Sequence, residues 1–449
     1  MLNYIWLAFL LVAVLVGGFT GKLPEMTKGA FEMAETAVMK IALPLVGVMA
    51  IWLGIMRLAE RSGLVQVLAR ALRPLMVRLF PEVPAEHPAM GAMLMNMAAN
   101  MLGLGNAATP LGLRAMSLLE KLNPRPGVAS NAMCTFLAIN TASIQLIPTT
   151  AIGILAINGS KNATAIVPAA FLATVIAACS GVLSAKLLER LPMFRLAPVQ
   201  PATPVDDVDA PPAETVDVEN VQTTPLSALK IWILVLFIAA FVLMFILLAF
   251  PDWLSAFWAA PVRPAEMEGK GPIIRVLFSV AILAVPFLLS FFPLYAALRG
   301  VKVYEQFVEG AKEAFAVGMR IVPFLVAMLV AIRMLRDAGV IDLMTKSLTP
   351  LFQAIHFPAD LLPLVLMRPL SGSATQGIFV ELVTRFGADS LISRMAATIY
   401  GSTETTFYVI AVYFGSVAVR QTRHAIVCGL IADSIAVIAS VTICHLLFG

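Results

Sequence analysis

One hydrophobic pattern occurs twice along this chain, and small polar residues interrupt both copies at the same point. The first apolar stretch ends at 57–64 and a polar break follows at 103–110, whereas the second stretch ends at 333–340 and its break follows at 371–377. Matching interruptions in two membrane halves are the best sequence indication of a binding site between them. The duplication therefore predicts two related repeats, each with a broken hairpin.

Composition indicates a membrane environment. Of the 449 residues, 60% are hydrophobic and only 13% are charged, whereas soluble domains carry roughly 25% charged residues. A helix needs about 20 apolar residues to cross the hydrocarbon core, and about nine such spans are predicted in addition to the two hairpins. The predicted spans are 2–20, 38–58, 128–157, 163–187, 227–250, 272–298, 316–336, 394–416 and 424–447. We therefore expect an all-α polytopic membrane protein.

An acidic, proline-rich segment at 196–225 divides the chain. It contains six acidic residues and no lysine or arginine, and such a composition cannot bury enough apolar surface to fold. We therefore predict a disordered linker between a first membrane module at 1–195 and a second at 226–449. The two repeats would span about 38–157 and 316–416, with edges uncertain by roughly 2–4 residues.

The distribution of basic residues predicts that the repeats are inverted. Lysine and arginine concentrate on the cytoplasmic side of membrane proteins. One arrangement places the basic ends of spans two, four, six and eight inside, together with the N-terminus and the linker. One span precedes the first repeat and six precede the second, so the repeats would enter the membrane from opposite sides. This arrangement leaves Arg333, Arg336 and Lys346 outside.

The two hairpins supply the first group of candidate substrate-binding residues. Irregular backbone at membrane depth is tolerated only where protein covers it or where it lines water, so two breaks brought together would form a polar cavity. Hydrogen bonding between helices is the alternative role for these polar side chains. For Arg368 the alternatives are extension to the membrane surface or an ion pair. The candidates are Asn96, Asn100, Asn106 and Thr109 in the first hairpin, and Arg368, Ser371, Ser373, Thr375 and Gln376 in the second.

Polar residues also break the span that follows each hairpin. An acidic side chain at the centre of a span costs about 2.5–3.5 kcal/mol, so Glu404 is expected to be paired, protonated or functional. We predict a coupling role for Glu404 and, more weakly, for Asp433, with a structural partner for a buried arginine as the alternative. The remaining candidates are Asn140, Thr141, Ser143 and Gln145 in the first half, and Ser402, Thr403 and Thr405 in the second.

The sequence contains no motif for nucleotide hydrolysis, hydrolase chemistry or metal binding. We find no phosphate-binding loop, no HExxH motif and no GxSxG motif. The four cysteines show no metal-ligand spacing. We therefore expect no enzyme activity, no metal and no cofactor. The net charge of +4 gives no indication of nucleic-acid binding.

Two stretches resemble known families. The segment 96–110, NMAANMLGLGNAATP, is similar to the motif of the spore maturation protein A family. Arg368-Pro-Leu-Ser-Gly-Ser373 followed by Gly401-Ser-Thr-Glu-Thr-Thr406 resembles spore maturation protein B. The chain looks like a fusion of the two, and the resemblance implies the nucleoside-recognition "Gate" domain. Related Gate domains occur in concentrative nucleoside transporters and in ferrous iron transporter B, whose nucleotide-binding loop is absent here.

The sequence therefore predicts a secondary transporter of the bacterial inner membrane. Two inverted Gate repeats would bind a small polar solute between them by alternating access, and the lipid bilayer would be the main partner. A homo-oligomer is compatible with the sequence. The alternative is a non-transporting envelope or maturation factor that acts through a partner or through lipid.

Overall fold

The computed structural model describes residues 2–103, 105–194, 224–250, 267, 269, 271–340, 343 and 357–449. Nearly all of the predicted linker at 196–225 lies outside these residues. The described residues are overwhelmingly helical and contain no strand, only an isolated bridge between Val128 and Gln421. The predicted all-α class is confirmed.

Seventeen α-helices are numbered here in chain order over the described ranges. They are α1 Leu2–Phe19, α2 Leu23–Thr36, α3 Leu43–Arg61, α4 Leu64–Leu79, α5 Pro88–Met101, α6 Gly105–Lys121, α7 Asn131–Ala142, α8 Thr149–Ile157, α9 Val167–Leu188, α10 Ala228–Ala249, α11 Pro272–Leu298, α12 Val303–Asp337, α13 Leu362–Met367, α14 Gly372–Phe386, α15 Leu391–Ser402, α16 Thr406–Ser416 and α17 Ala425–Phe448.

Within the described ranges, six continuous helical segments are long and apolar enough to cross a membrane. One of them joins α2 to α3 through a π-helical segment, Ala37–Ala42. Pro44 explains the π-helical turn, because proline has no backbone N–H to donate to the carbonyl of the preceding helical turn. The others are Ala163–Leu188, Ala228–Ala249, Pro272–Leu298, Val303–Asp337 and Ala425–Phe448.

Two predicted spans are each divided into two shorter helices. The stretch predicted at 128–157 forms α7 and α8, and the stretch predicted at 394–416 forms α15 and α16. Neither half of either pair is long enough to span a 30 Å hydrocarbon core alone, because an α-helix rises 1.5 Å per residue. Both pairs are therefore discontinuous helices, as their polar centres predicted.

Helix α7 runs alongside α17 in the same direction. Ala138 clusters with Cys428, and one turn later Ala142 clusters with Ala432. Residue numbers therefore rise together along this contact.

Helix α15 runs along α17 in the opposite direction. The Thr398 hydroxyl lies 3.3 Å from the Cys444 sulfur, and the Ser402 hydroxyl lies 3.2 Å from that of Ser440. Because α7 is parallel to α17 and α15 is antiparallel to it, α7 and α15 run in opposite directions. The predicted inversion requires this antiparallel course, and the inversion itself stays a prediction.

Helices α3 and α12 cross in close contact at glycines. A Cβ atom placed on Gly310 of α12 would lie 2.6 Å from the carbonyl oxygen of Leu53 and 3.0 Å from the Cα of Gly54. Next to this contact, Arg57 of α3 forms an ion pair of 2.9 Å with Glu313 of α12. The approach of the two backbones therefore depends on the absence of a side chain at position 310.

We predict that Gly310→Ala lowers the free energy of unfolding by about 1–3 kcal/mol, because the added methyl group meets backbone atoms that cannot move aside. Gly47→Ala in α3 is the matched control, since a Cβ there meets nothing within 4 Å and alanine favours a helix by about 1 kcal/mol. Melting temperatures in detergent measure both effects. Equal behaviour of the two variants would contradict the proposed contact.

Candidate functional site

The two discontinuous helices meet at their breaks. The backbone N–H of Glu404, between α15 and α16, donates a 2.9 Å hydrogen bond to the carbonyl of Thr141, in the last turn of α7. Two residues after Thr141, Ser143 ends α7 in a left-handed backbone conformation with φ of 41°. We call this meeting point the crossing, defined by residues 140–145 and 402–406.

Each hairpin break is bonded to the discontinuous helix of its own half. The N–H of Leu146 donates to the carbonyl of Met101 at 3.0 Å, and the N–H of Phe407 donates to the carbonyl of Pro369 at 3.0 Å. The same kind of bond thus recurs at corresponding places in both halves. The crossing therefore lies between the two hairpins, and each hairpin is bonded to the discontinuous helix of its own half.

The guanidinium of Arg368 caps the end of α15. Its Nε donates to the hydroxyl of Thr403 at 2.9 Å, and one Nη donates to the carbonyls of Tyr400 (3.0 Å) and Thr403. The group also lies over the Tyr400 ring, 4.8 Å from its centre. A positive charge at a helix C-terminus is favourable because the terminal carbonyls carry partial negative charge. Arg368 is buried and forms no ion pair with any described residue.

The carboxylate of Glu404 is half-buried and has no charged partner in the part of the chain that the structure describes. Its one hydrogen bond is a local one of 3.3 Å from the backbone N–H of Thr405. The carboxyl group therefore stays accessible at the crossing, although the residues on either side, Thr403 and Thr405, are buried.

A second carboxyl group reaches the crossing from α17. Asp433 is buried, and its Oδ2 accepts a 2.5 Å hydrogen bond from the hydroxyl of Thr406 at the start of α16. Its Oδ1 is buried without a hydrogen-bond partner. Asp433 therefore retains one free acceptor beside the crossing.

The asparagines of the first hairpin form hydrogen bonds between helices. Asn96 donates to the carbonyl of Ala108 at 2.7 Å and to the Tyr413 hydroxyl of α16 at 3.4 Å, while its Oδ1 is buried without a partner. Asn100 donates to Oδ1 of Asn140 at 3.0 Å. These bonds match the alternative role of hydrogen bonding between helices, and the Oδ1 of Asn96 has no hydrogen-bond partner among the described residues.

The other candidates are placed as follows. In the first half, the Thr141 hydroxyl donates to the carbonyl of Leu137, the Gln145 amide donates to the Ser143 hydroxyl, and Thr109 is partly buried. In the second half, Ser371 caps the N-terminus of α14, the Thr375 hydroxyl donates to the carbonyl of Ser371, and Ser373 is partly buried. Gln376 is buried and its Nε2 has no hydrogen-bond partner among the described residues, while the hydroxyls of Ser402 and Ser440 are hydrogen-bonded to each other. The side chain of Asn106 lies outside the described residues.

Sequence reasoning missed three contributors to the crossing. Thr406 binds Asp433, Tyr413 binds Asn96, and Thr174 of α9 donates to the carbonyls of Ala142 and Ser143 at 2.9 Å each. Thr174 and Tyr413 lie within apolar runs, whereas Thr406 is the last residue of the polar stretch 402–406. A signal for two of them was present, because Thr406 and Tyr413 are seven residues apart and therefore share a helix face.

This architecture defines a class of protein: a multi-pass helical membrane protein in which two antiparallel discontinuous helices meet at a polar crossing. The family model described as "Nucleoside recognition", the Gate domain, matches residues 42–158 and 319–420.

Two relatives from Bacillus subtilis (strain 168) specify the family further. Spore maturation protein A is 42% identical over 183 residues, which are 41% of this chain and 93% of that protein. Spore maturation protein B is 44% identical over 165 residues, which are 37% of this chain and 93% of that protein. The chain belongs to the spore maturation protein A and B family of Gate-domain proteins. No solved structure matches it.

We predict that Arg368→Met destabilises the protein by about 2 kcal/mol even without a solute, because the carbonyls of Tyr400 and Thr403 lose charged hydrogen-bond donors. The melting temperature in detergent measures this loss. Arg78→Met removes the same charge from an exposed position in α4 and should change the melting temperature little. An unchanged melting temperature for Arg368→Met would show that the cap does not stabilise α15.

Proposed function

We propose that this protein is a secondary transporter of the bacterial inner membrane that moves a small polar solute by alternating access. The observation that carries this proposal is the half-buried Glu404 carboxylate, which has no charged partner among the described residues, at the contact between the two discontinuous helices. Ionisable groups within membrane segments are expensive and mark solute and ion pathways. No catalytic role is proposed.

The free polar atoms around the crossing suggest the class of solute. Two buried oxygens without partners, Oδ1 of Asn96 and Oδ1 of Asp433, are acceptors, and the Glu404 carboxylate adds another. Two of the three guanidinium nitrogens of Arg368 donate to the Thr403 hydroxyl and to the carbonyls of Tyr400 and Thr403. A solute rich in hydroxyl or amino donors suits this set, and a nucleoside fits both the chemistry and the family description.

The two carboxyl groups also support proton coupling. Glu404 and Asp433 approach the crossing from different helices, and neither forms an ion pair in the described part of the chain. Binding of a proton would remove a charge that is costly within the membrane. Proton and solute can therefore share these acceptors, which is how a gradient would drive transport.

We expect proteoliposomes containing the protein to accumulate radiolabelled uridine or adenosine when an inward proton gradient is imposed. Glu404→Gln and Asp433→Asn should each reduce the gradient-driven rate at least tenfold, because neither amide can take up the proton. Glu305→Gln is the control, since this carboxylate pairs with Lys302 on an exposed surface.

Normal rates in both folded carboxyl variants would contradict the coupling assignment. Failure of the folded parent protein to move nucleosides, amino acids or peptidoglycan-type metabolites beyond empty liposomes would contradict transport itself. Thermal-shift screening against the same compounds provides an independent measure of binding, because a ligand stabilises the folded state that binds it.

Contacts between the two halves close both ends of the crossing. At one end, the Ser160 hydroxyl and the Lys161 N–H of the α8–α9 loop donate to Asp389 of the α14–α15 loop at 2.6 and 3.0 Å. This end lies at the C-terminus of α17, because the guanidinium of Arg394, near the start of α15, stacks on Phe448 at 4.6 Å.

The electrostatics of Asp389 favour this contact. Partial burial alone would raise the pKa of Asp389, but the hydrogen bonds from Lys161 and Ser160 and the nearby charge of Arg394 outweigh burial and lower that pKa below its usual value. The carboxylate therefore stays a charged acceptor for these bonds at neutral pH.

The corresponding loops meet at the other end. The N–H of Arg420 donates to the carbonyl of Gly127 at 2.9 Å, and the N–H of Ala129 donates to the carbonyl of Gln421 at 3.0 Å. The Arg423 side chain adds a 2.8 Å bond to Asn131. Arg420, Gln421 and Arg423 directly precede the first residue of α17, so this end of the crossing lies at the N-terminus of α17. Asp433 lies between the two ends, about 12 Å along α17 from its first residue and about 22 Å from its last.

We propose that these two loop contacts are the gates, and that each must open for the solute to pass. Cysteine pairs at Ser160 and Asp389, or at Val128 and Gln421, should form a disulfide on oxidation and stop transport, and reduction should restore it. A Cys179→Ser background removes the exposed native cysteine, while the other three are buried. Single-cysteine variants treated identically are the controls. Full transport with either gate cross-linked would rule out that gate.

The alternative function is a non-transporting envelope factor. The burial of Asn96, Asn140, Thr141 and Thr403, and the hydrogen bonds that hold them, favour it, since they stabilise the contact between the halves. Under this alternative the carboxyl variants would change stability or partner binding while solute flux stays absent.

A further inference from the structure

A cavity of about 400 Å³ lies away from the crossing, between α4, the turn at 80–87 and the start of α5. Pockets that bind small molecules measure about 300–1,000 Å³. Nothing in the proposed transport mechanism uses this cavity. Its wall divides into a polar side and an apolar side, which together indicate an amphipathic ligand.

Arg70 carries a positive charge on the polar side. It is exposed, donates a long hydrogen bond of 3.4 Å to the carbonyl of Gln66, and forms no ion pair within the described residues. One turn further along α4, Arg73 is already paired with Glu86 at 2.5 Å. The Arg70 guanidinium is therefore available to an external anion.

His87 adds a second donor at the same mouth. Its Nδ1 accepts a 3.1 Å hydrogen bond from the N–H of Ala89, so the neutral imidazole carries its proton on Nε2. His87 and Arg70 both line the cavity. This pair suits a phosphate oxygen.

The apolar side of the lining consists of Ala69 from α4 and of Met90, Leu94 and Met95 from α5, with Gly91 among them. A Cβ at Gly91 would meet nothing within 4 Å, so the glycine keeps this part of the cavity open. Methionine and leucine side chains offer no polar group, and an alkyl chain fits against them.

The position of α4 connects this cavity to the membrane surface. The helix directly follows the end of the candidate span that closes with α3. It buries Val65, Ala69 and Met76 on one side while Arg70 and Arg78 are exposed. Helices of this kind, with a basic face and an apolar face, lie in the interface of the bilayer.

We propose that an anionic phospholipid binds in this cavity, with its phosphate on Arg70 and His87 and an acyl chain against Met90 and Leu94. A free phosphate ion would use the polar side alone, whereas the lipid uses both walls. A zwitterionic lipid would bring a cationic group next to the arginine. This inference is independent of the proposed transport function.

The test is the melting temperature of the purified full chain in detergent during titration with phosphatidylglycerol, phosphatidylcholine or inorganic phosphate. Phosphatidylglycerol should raise the melting temperature, whereas the other two should not. Arg70→Gln should weaken the apparent affinity for phosphatidylglycerol roughly fivefold, which is the value of one arginine near an anionic headgroup. Arg78→Gln, with the same charge change on the same helix outside the cavity, should retain the parent affinity.

Gly91→Leu provides a second, independent variant. Its Cβ meets nothing within 4 Å and leucine has a higher helix propensity than glycine, so the protein should fold, occupy part of the cavity with the new side chain and lose the shift induced by phosphatidylglycerol. An undiminished shift in Gly91→Leu, or equal weakening by Arg70→Gln and Arg78→Gln, would overturn the proposal. Stabilisation by inorganic phosphate to the same extent as by phosphatidylglycerol would also overturn it, because the site would then bind a free anion.

Discussion

The structure depends on one constraint, namely that backbone groups released by a break in a membrane helix must find partners within the protein. An unpaired N–H or C=O in hydrocarbon costs several kcal/mol. Here the N–H of Glu404 bonds to Thr141, Thr174 bonds to the end of α7, and Arg368 bonds to the end of α15. Each break is therefore satisfied by groups from another segment, and this requirement brings the polar residues together at one place.

The antiparallel course of α7 and α15 also determines at which end of the molecule each connecting loop lies. Because the two helices start at opposite ends of α17, equivalent loops of the two halves also lie at opposite ends. Each loop bonds to a loop of the other half, through Asp389 at one end and through Gln421 at the other. One arrangement of helices thus produces a central polar contact and two closures, the geometry that alternating access requires.

The sequence predicted the elements of the fold better than their contacts. Apolar length located the six continuous spans, since burial in lipid selects composition directly. The polar centres of 128–157 and 394–416 predicted the two discontinuous helices. The partners of Arg368 and Asp433 were not predictable in the same way. Whether a buried charge meets a carbonyl, a hydroxyl or a carboxylate depends on three-dimensional packing, and Tyr413 lies in a run that otherwise looks purely apolar.

The role of Arg368 affects which solutes the crossing can accept. Its guanidinium satisfies the carbonyls at the end of α15, so the positive charge near the crossing is already directed at partial negative charge. Glu404 and Asp433 then give the surroundings an excess of acceptors. A phosphate or carboxylate group would face these oxygens while two of the three nitrogens of Arg368 are already bonded to the protein, and like charges in a region of low dielectric repel strongly. If the proposed transport takes place, the crossing should therefore favour a neutral nucleoside over its phosphorylated form.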